Sequence, residues 1–138
     1  MISHNTQNWT VQKRPARSSK GVVASQVGTA SQIGANILAA GGNAVDAAIA
    51  AAAVLNVVEP MMTGIGGDVF AIAFMQRDGK PVALNSSGWG GSKGSVDFFK
   101  SRGLHSIPMS GMHSVSVPGA VAGWFGVALA VELGEPVP

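Results

Sequence analysis

Residues 41–68 read Gly-Gly-Asn-Ala-Val-Asp-Ala-Ala-Ile-Ala-Ala-Ala-Ala-Val-Leu-Asn-Val-Val-Glu-Pro-Met-Met-Thr-Gly-Ile-Gly-Gly-Asp, and this stretch decides the fold. Gly41-Gly42 can supply the left-handed turn that closes one helix, and Asn43 is placed to cap the next. The second helix should run from Ala44 to about Val57 and end before Pro60. Alanine combines the best helix propensity with little bulk, so this helix can approach a sheet or another helix closely. Asp46, near its N-terminus, complements the macrodipole, which accounts for the carboxylate without catalysis. Thr63 to Asp68 is a glycine-rich loop, expected to be a tight turn with Asp68 hydrogen-bonding within it. Such a loop can form an anion nest. Here, however, it precedes a strand and lacks a Gly-Lys-Ser/Thr ending, which argues against a phosphate loop.

Upstream, Val22 and Val23 between Gly21 and Ser25 suggest a short strand. Thr29 with Gln32 makes a capping-box pattern, so a helix should begin at Ala30, with Ile33, Ile37 and Leu38 on one face. Downstream, Val69 to Met75 reads as a strand, Arg77-Asp78-Gly79-Lys80 as a hairpin turn, and Val82 to Asn85 as the returning strand. Ser95 to Arg102 suggests a short helix stopped by Gly103, and Val115 to Val117 a short extended segment. Pro118 suits a first helical position. From there Val121, Trp124, Phe125, Ala128, Leu129 and Val131 are expected on the buried side of a helix ending near Gly134.

The chain has 138 residues, 46% of them hydrophobic, which suffices for one core. The net charge is +2, but Lys13, Arg14, Arg17 and Lys20 concentrate the excess base in residues 1–20. That segment reads as a basic, mobile arm. Residues 21–138 show no internal boundary or repeat and carry more acid than base, so no nucleic-acid surface is expected. An apolar signal core is missing around His4, Asn5, Gln7 and Asn8, and Asp46 and Asn56 interrupt the longest apolar run. The expectation is a cytoplasmic protein without a membrane contact.

Local chemistry is sparse. With no cysteine, disulfides and thiolate catalysis are excluded. His4, His105 and His113 are scattered without acidic neighbours at ligand spacing, so no metal is expected. No Gly-x-Ser-x-Gly elbow occurs. The residues themselves offer no catalytic group and no cofactor motif.

The ordered set Gly41 to Ala48, Glu59-Pro60, Thr63 to Gly67 and Val115 to Gly123 resembles the γ-glutamyltranspeptidase family, over roughly Gly21 to Gly134. The resemblance implies an α+β fold, the N-terminal segment of an αββα sandwich of the N-terminal-nucleophile hydrolases. It also implies a precursor cut to expose a threonine nucleophile on a small subunit outside this chain. That threonine's hydroxyl attacks an amide carbonyl while its own α-amine takes the proton, and a small-subunit Gly-Gly pair holds the oxyanion. In this region the family contributes an arginine that grips the substrate α-carboxylate, just after the returning strand. Here the corresponding residues are Asn85, Ser86, Ser87, Gly88 and Trp89, with Ser87 at the clamp position and no arginine.

These five residues are therefore the expected substrate-binding loop. A serine offers one neutral hydrogen bond where an arginine offers a charge-assisted pair, and Trp89 can shape an apolar pocket or pack under the loop. The leading expectation is the front piece of the large subunit of an amidohydrolase or acyltransferase, incomplete as a domain and inactive alone. Its partners are the rest of the large subunit, a threonine-bearing small subunit and a small amide substrate, γ-glutamyl or another carboxylate-bearing compound. A non-catalytic subunit of the same fold is the alternative. A nucleotide-binding module is a third reading, which requires phosphate contacts at Gly64 to Gly67.

Overall fold

The structure, a computed structural model, describes residues 15–133. Lys13, Arg14 and the expected turn at residues 134–138 lie outside the described residues. Four helices and one hairpin follow in order: α1 (Gly28–Ala39), α2 (Ala44–Val58), β1 (Val69–Met75), β2 (Lys80–Ser86), α3 (Val96–Lys100) and α4 (Ala120–Leu133). A single 3-10 turn, Met112–Ser114, precedes α4.

Helix α2 starts where its sequence says it should. The Asn43 side chain accepts from the N–H groups of Val45 and Asp46 at 2.8 and 3.0 Å, and Asp46 Oδ2 accepts from the Asn43 N–H at 2.8 Å. Asp46 thus completes a reciprocal capping box, a more specific role than complementing the dipole. Helix α1 departs from expectation. It begins at Gly28, its N-cap is Val27, and no side chain caps it. Thr29 already lies inside the helix, so its hydroxyl is past the position from which a cap could work. Residues 22–23 form no strand, because β1 and β2 pair only with each other; Val23 instead packs against Gly34.

The hairpin is antiparallel, with Val69 opposite Ser86 and Met75 opposite Lys80. Gly79 takes φ 62° in the turn, a conformation costly for residues with a Cβ, and the N–H groups of Asp78 and Gly79 both donate to Met75 O. Arg77 then reaches the carbonyls of Ala130 and Val131 at 3.5 Å, at the far end of α4. Ser95 caps α3 by accepting from Phe98 N at 3.1 Å. Arg102 stacks over the Phe98 ring, 3.7 Å from its centroid.

Small residues mediate the helix contacts. Helix α1 meets α2 where Ala30 and Gly34 are buried; a Cβ on Gly34 would stand 3.0 Å from Ala47 O. Helix α4 covers the inner face of the hairpin and α2 packs against α4; Val45, Leu84 and Val127 form the core, with Ile49, Val69, Ala71 and Val131 packed around them. On α4 the buried residues are Ala120, Gly123, Val127 and Ala130, and Gly119 just before it is buried as well. The expectation that Val121, Phe125 and Leu129 face inward is overturned, since they are 40%, 74% and 55% exposed. A Cβ on Gly123 would overlap Val69 and Ser86, so the hairpin approaches α4 too closely for the large side chains. Ile33 on α1 is likewise partly exposed because Ala30 and Gly34 take the contact. No described helix is long and apolar enough to cross a membrane.

Ala51 is buried and Ala48 is exposed. Ala51→Leu should therefore overpack the protein and cost about 1 to 3 kcal/mol, while Ala48→Leu should stay within about 0.5 kcal/mol. Asn43→Ala should cost about 1 kcal/mol, and Thr29→Ala should be near neutral. Denaturant unfolding of the four variants checks the set; equal losses at positions 48 and 51 contradict this packing.

Candidate functional site

Strand β2 ends at Ser86, and the side chains alternate through that end. Ser86 points inward and its Oγ donates to Gly119 O at 2.7 Å. Asn85 lies on the opposite face, directly across from Phe70. Its Oδ1 turns back to accept from Ser87 N at 3.0 Å, an Asx turn that lifts the chain off the sheet. Ser87 and Trp89 are exposed, Trp89 at 84%, while Gly88 between them is partly buried. Trp89 therefore does not pack beneath the loop.

Gly88 is held from two sides. Its N–H donates to Asp68 Oδ1 at 2.8 Å, and a Cβ there would overlap the Val117 carbonyl. The next residue closes the arrangement, with Val117 N donating to Trp89 O at 2.9 Å. Residues 86–89 and 116–119 thus run side by side. Asp68 also accepts from Ser116 Oγ at 3.1 Å, and Gly67 O accepts from Gly119 N and Ala120 N at 3.0 and 2.9 Å. The expectation that Asp68 bonds within its own glycine loop is corrected, because its carboxylate bridges two distant loops. Within the glycine loop the turn is closed by Gly67 N donating to Gly64 O at 3.1 Å.

The five expected site residues form one contiguous loop in which Asn85, Ser87 and Trp89 are exposed while Ser86 and Gly88 are partly buried and hydrogen-bonded to Gly119 and Asp68. Sequence reading missed Asp68, Ser116 and Gly119 as its supports. The signal lay in Gly67-Asp68 and Ser116-Val117-Pro118-Gly119, but nothing in one dimension says that these segments meet. An open depression of about 420 Å³ adjoins this junction, lined by Pro60 to Gly64 and by Gly66, Gly67 and Asp68. Above it Met61 and Met62 are largely exposed. The Thr63 hydroxyl donates to Asn56 Oδ1 at its edge.

Among the described residues, the hydroxyl at this junction that meets a charged group is that of Ser116, at Asp68. Ser116 donates to a carboxylate that already accepts the Gly88 N–H, and no histidine joins that contact. Phe98, Phe99 and His113 pack edge to face on one another. Among the described residues no three His, Asp or Glu side chains gather where a metal could be held.

Comparison with known proteins places this geometry. The γ-glutamyltranspeptidase family profile matches residues 30–129. The chain is 46% identical over 96 residues to the glutathione hydrolase-like YwrD proenzyme of Bacillus subtilis (strain 168), covering 69% of this chain and 18% of that protein. It is 38% identical over 127 residues to the Acylase ACY 1 proenzyme of Pseudomonas sp. (strain V22), covering 85% of this chain and 22% of the relative. Among solved structures, a cephalosporin acylase from Bacillus halodurans superposes with a TM-score of 0.78 at 36% identity, over 95% of this chain and 24% of that one. The chain thus spans about a fifth of the length of the curated relatives it matches. Its mixture of helices and an antiparallel hairpin is the α+β arrangement found in that acylase structure.

Gly88→Ala should force residues 86–89 and 116–119 apart. The expected cost is about 1 to 3 kcal/mol, read as a lowered thermal midpoint. Gly90→Ala, where a Cβ meets nothing within 4 Å, is the matched control and should leave the midpoint unchanged.

Proposed function

The chain belongs to the γ-glutamyltranspeptidase family, a family of amide hydrolases and transferases, and on that premise we propose that it supplies the substrate-facing loop of such an enzyme. The nucleophile in this reading is a threonine on a companion subunit, released when a proenzyme is cleaved. The observation that carries the reading is the position of the loop. Phe70, Ile72 and Phe74 form an outward face of the hairpin that is 68%, 82% and 61% exposed, and Asn85 ends that same face. Apolar faces of this kind are normally covered. A second sheet laid on it completes the αββα sandwich and brings its own residues to the loop from Asn85 to Trp89. Residues 21–138 are then part of a larger domain.

The substrate in this reading is a small amide. Ser87 presents a neutral hydroxyl where the family's clamp arginine is expected, and the nearest charge on the loop's supports is the Asp68 carboxylate. A free α-carboxylate is poorly matched to that pairing, so the native substrate is a small acyl-amide rather than a γ-glutamyl compound. A non-catalytic subunit of the same fold is favoured by one observation, the lack of a base beside any described hydroxyl other than Asp68. A companion chain that begins with threonine and carries a Gly-Gly segment decides between the two.

Ser87→Arg in the full-length processed protein should raise kcat/KM for γ-glutamyl p-nitroanilide about 10-fold relative to 4-aminobutyryl p-nitroanilide, which lacks the α-carboxylate. One charge-assisted hydrogen bond of about 1.5 to 3 kcal/mol supplies that factor. An unmodified enzyme that already prefers the γ-glutamyl compound strongly shows that another residue is the clamp.

A further inference from the structure

The geometry points to Asp68 as the positioning residue of the substrate loop, an inference that rests on the reading of residues 85–89 given above. One oxygen, Oδ1, takes both the Gly88 N–H at 2.8 Å and the Ser116 hydroxyl at 3.1 Å. The bond lands on the Ser87–Gly88 peptide, between the exposed residues Ser87 and Trp89. The loop ends do not depend on it. Ser86 is tied to Gly119 by its own hydroxyl, and Trp89 O is tied to Val117 N. The Val117 carbonyl blocks Gly88 from moving towards 116–119, and among the described residues Asp68 is what its N–H is bonded to on the other side. Loss of the carboxylate therefore frees the middle of the loop while the junction stays closed.

Three consequences separate this role from a structural one. Asparagine keeps a carbonyl oxygen at the same reach and can accept both bonds, so Asp68→Asn should behave nearly as the parent. Alanine removes the acceptor and should loosen the Ser87–Gly88 peptide alone. The chemical step, carried by groups outside this chain, should not change. These bonds are exposed to solvent, so water replaces them in the variant at little cost to folding.

The test compares Asp68→Ala and Asp68→Asn with the parent in the full-length processed protein. Amide hydrogen exchange of residues 86–90 and 116–120 is measured beside the kinetics of γ-glutamyl and glutaryl p-nitroanilide hydrolysis. The expected result for Asp68→Ala is Gly88 exchange faster by about 10-fold with Val117 still protected. KM should rise about 10-fold with kcat within about 2-fold, and Asp68→Asn should restore both readings. Unchanged exchange at Gly88 overturns the inference and leaves the loop's proposed role intact. Faster exchange with unmoved KM for both anilides overturns the proposed role of the loop, and the positioning role with it. A joint fall of kcat, kcat/KM and thermal midpoint that asparagine does not rescue also overturns the inference, because the residue is then only structural.

Discussion

The junction at Gly67-Asp68 is the contact on which the rest of the arrangement depends. A helix begins with N–H groups that have no partner inside it. In α4 the first of these, Gly119 N and Ala120 N, donate to the carbonyl of Gly67 rather than to a capping side chain. The start of β1 therefore fixes the start of α4. One residue later the Asp68 carboxylate fixes the chain leaving β2, through Gly88, and the chain entering α4, through Ser116. Three segments distant in sequence are joined by two adjacent residues, and the candidate loop inherits its position from them.

Close approach explains the packing throughout. Ala30 and Gly34 on α1, Ala47 and Ala51 on α2, and Ala120, Gly123 and Ala130 on α4 make up most of the buried faces, with Val45 and Val127. A helix whose contact stripe is alanine and glycine lets backbones come near, and the larger apolar residues then lie on other faces. Val121, Phe125 and Leu129 are thus exposed on α4, and Phe70, Ile72 and Phe74 are exposed on the outer face of the hairpin. These surfaces are too apolar to be idle, and they frame the half-covered hairpin at whose end the loop stands.

Much of the local structure was legible because its causes are local. Asn43 and Asp46 lie three residues apart and need only each other, so the start of α2 could be read directly. The same holds for the hairpin, which alternating residues and Gly79 specify, and for α3 between Ser95 and Gly103. Thr29 misled because a capping pattern is necessary for a box and not sufficient; α1 continues back to Gly28, with Val27 outside it. The inward face of α4 misled because large apolar residues ordinarily mark the core. Nothing within that helix reports that the hairpin lies too near to admit them.

By itself the sequence determined the order of the main helices and the hairpin and the family to which the chain belongs. These depend on residue types at short spacing. Tertiary structure alone decided which faces are buried, that Asp68 reaches Gly88 and Ser116, and that Ser87 and Trp89 are exposed beside those contacts. The physical reason is range. Caps and turns are closed by bonds within a few residues, whereas the loop's supports are hydrogen bonds between residues 20 and 48 positions apart, which exist only once small-residue packing has brought β1, β2 and α4 together.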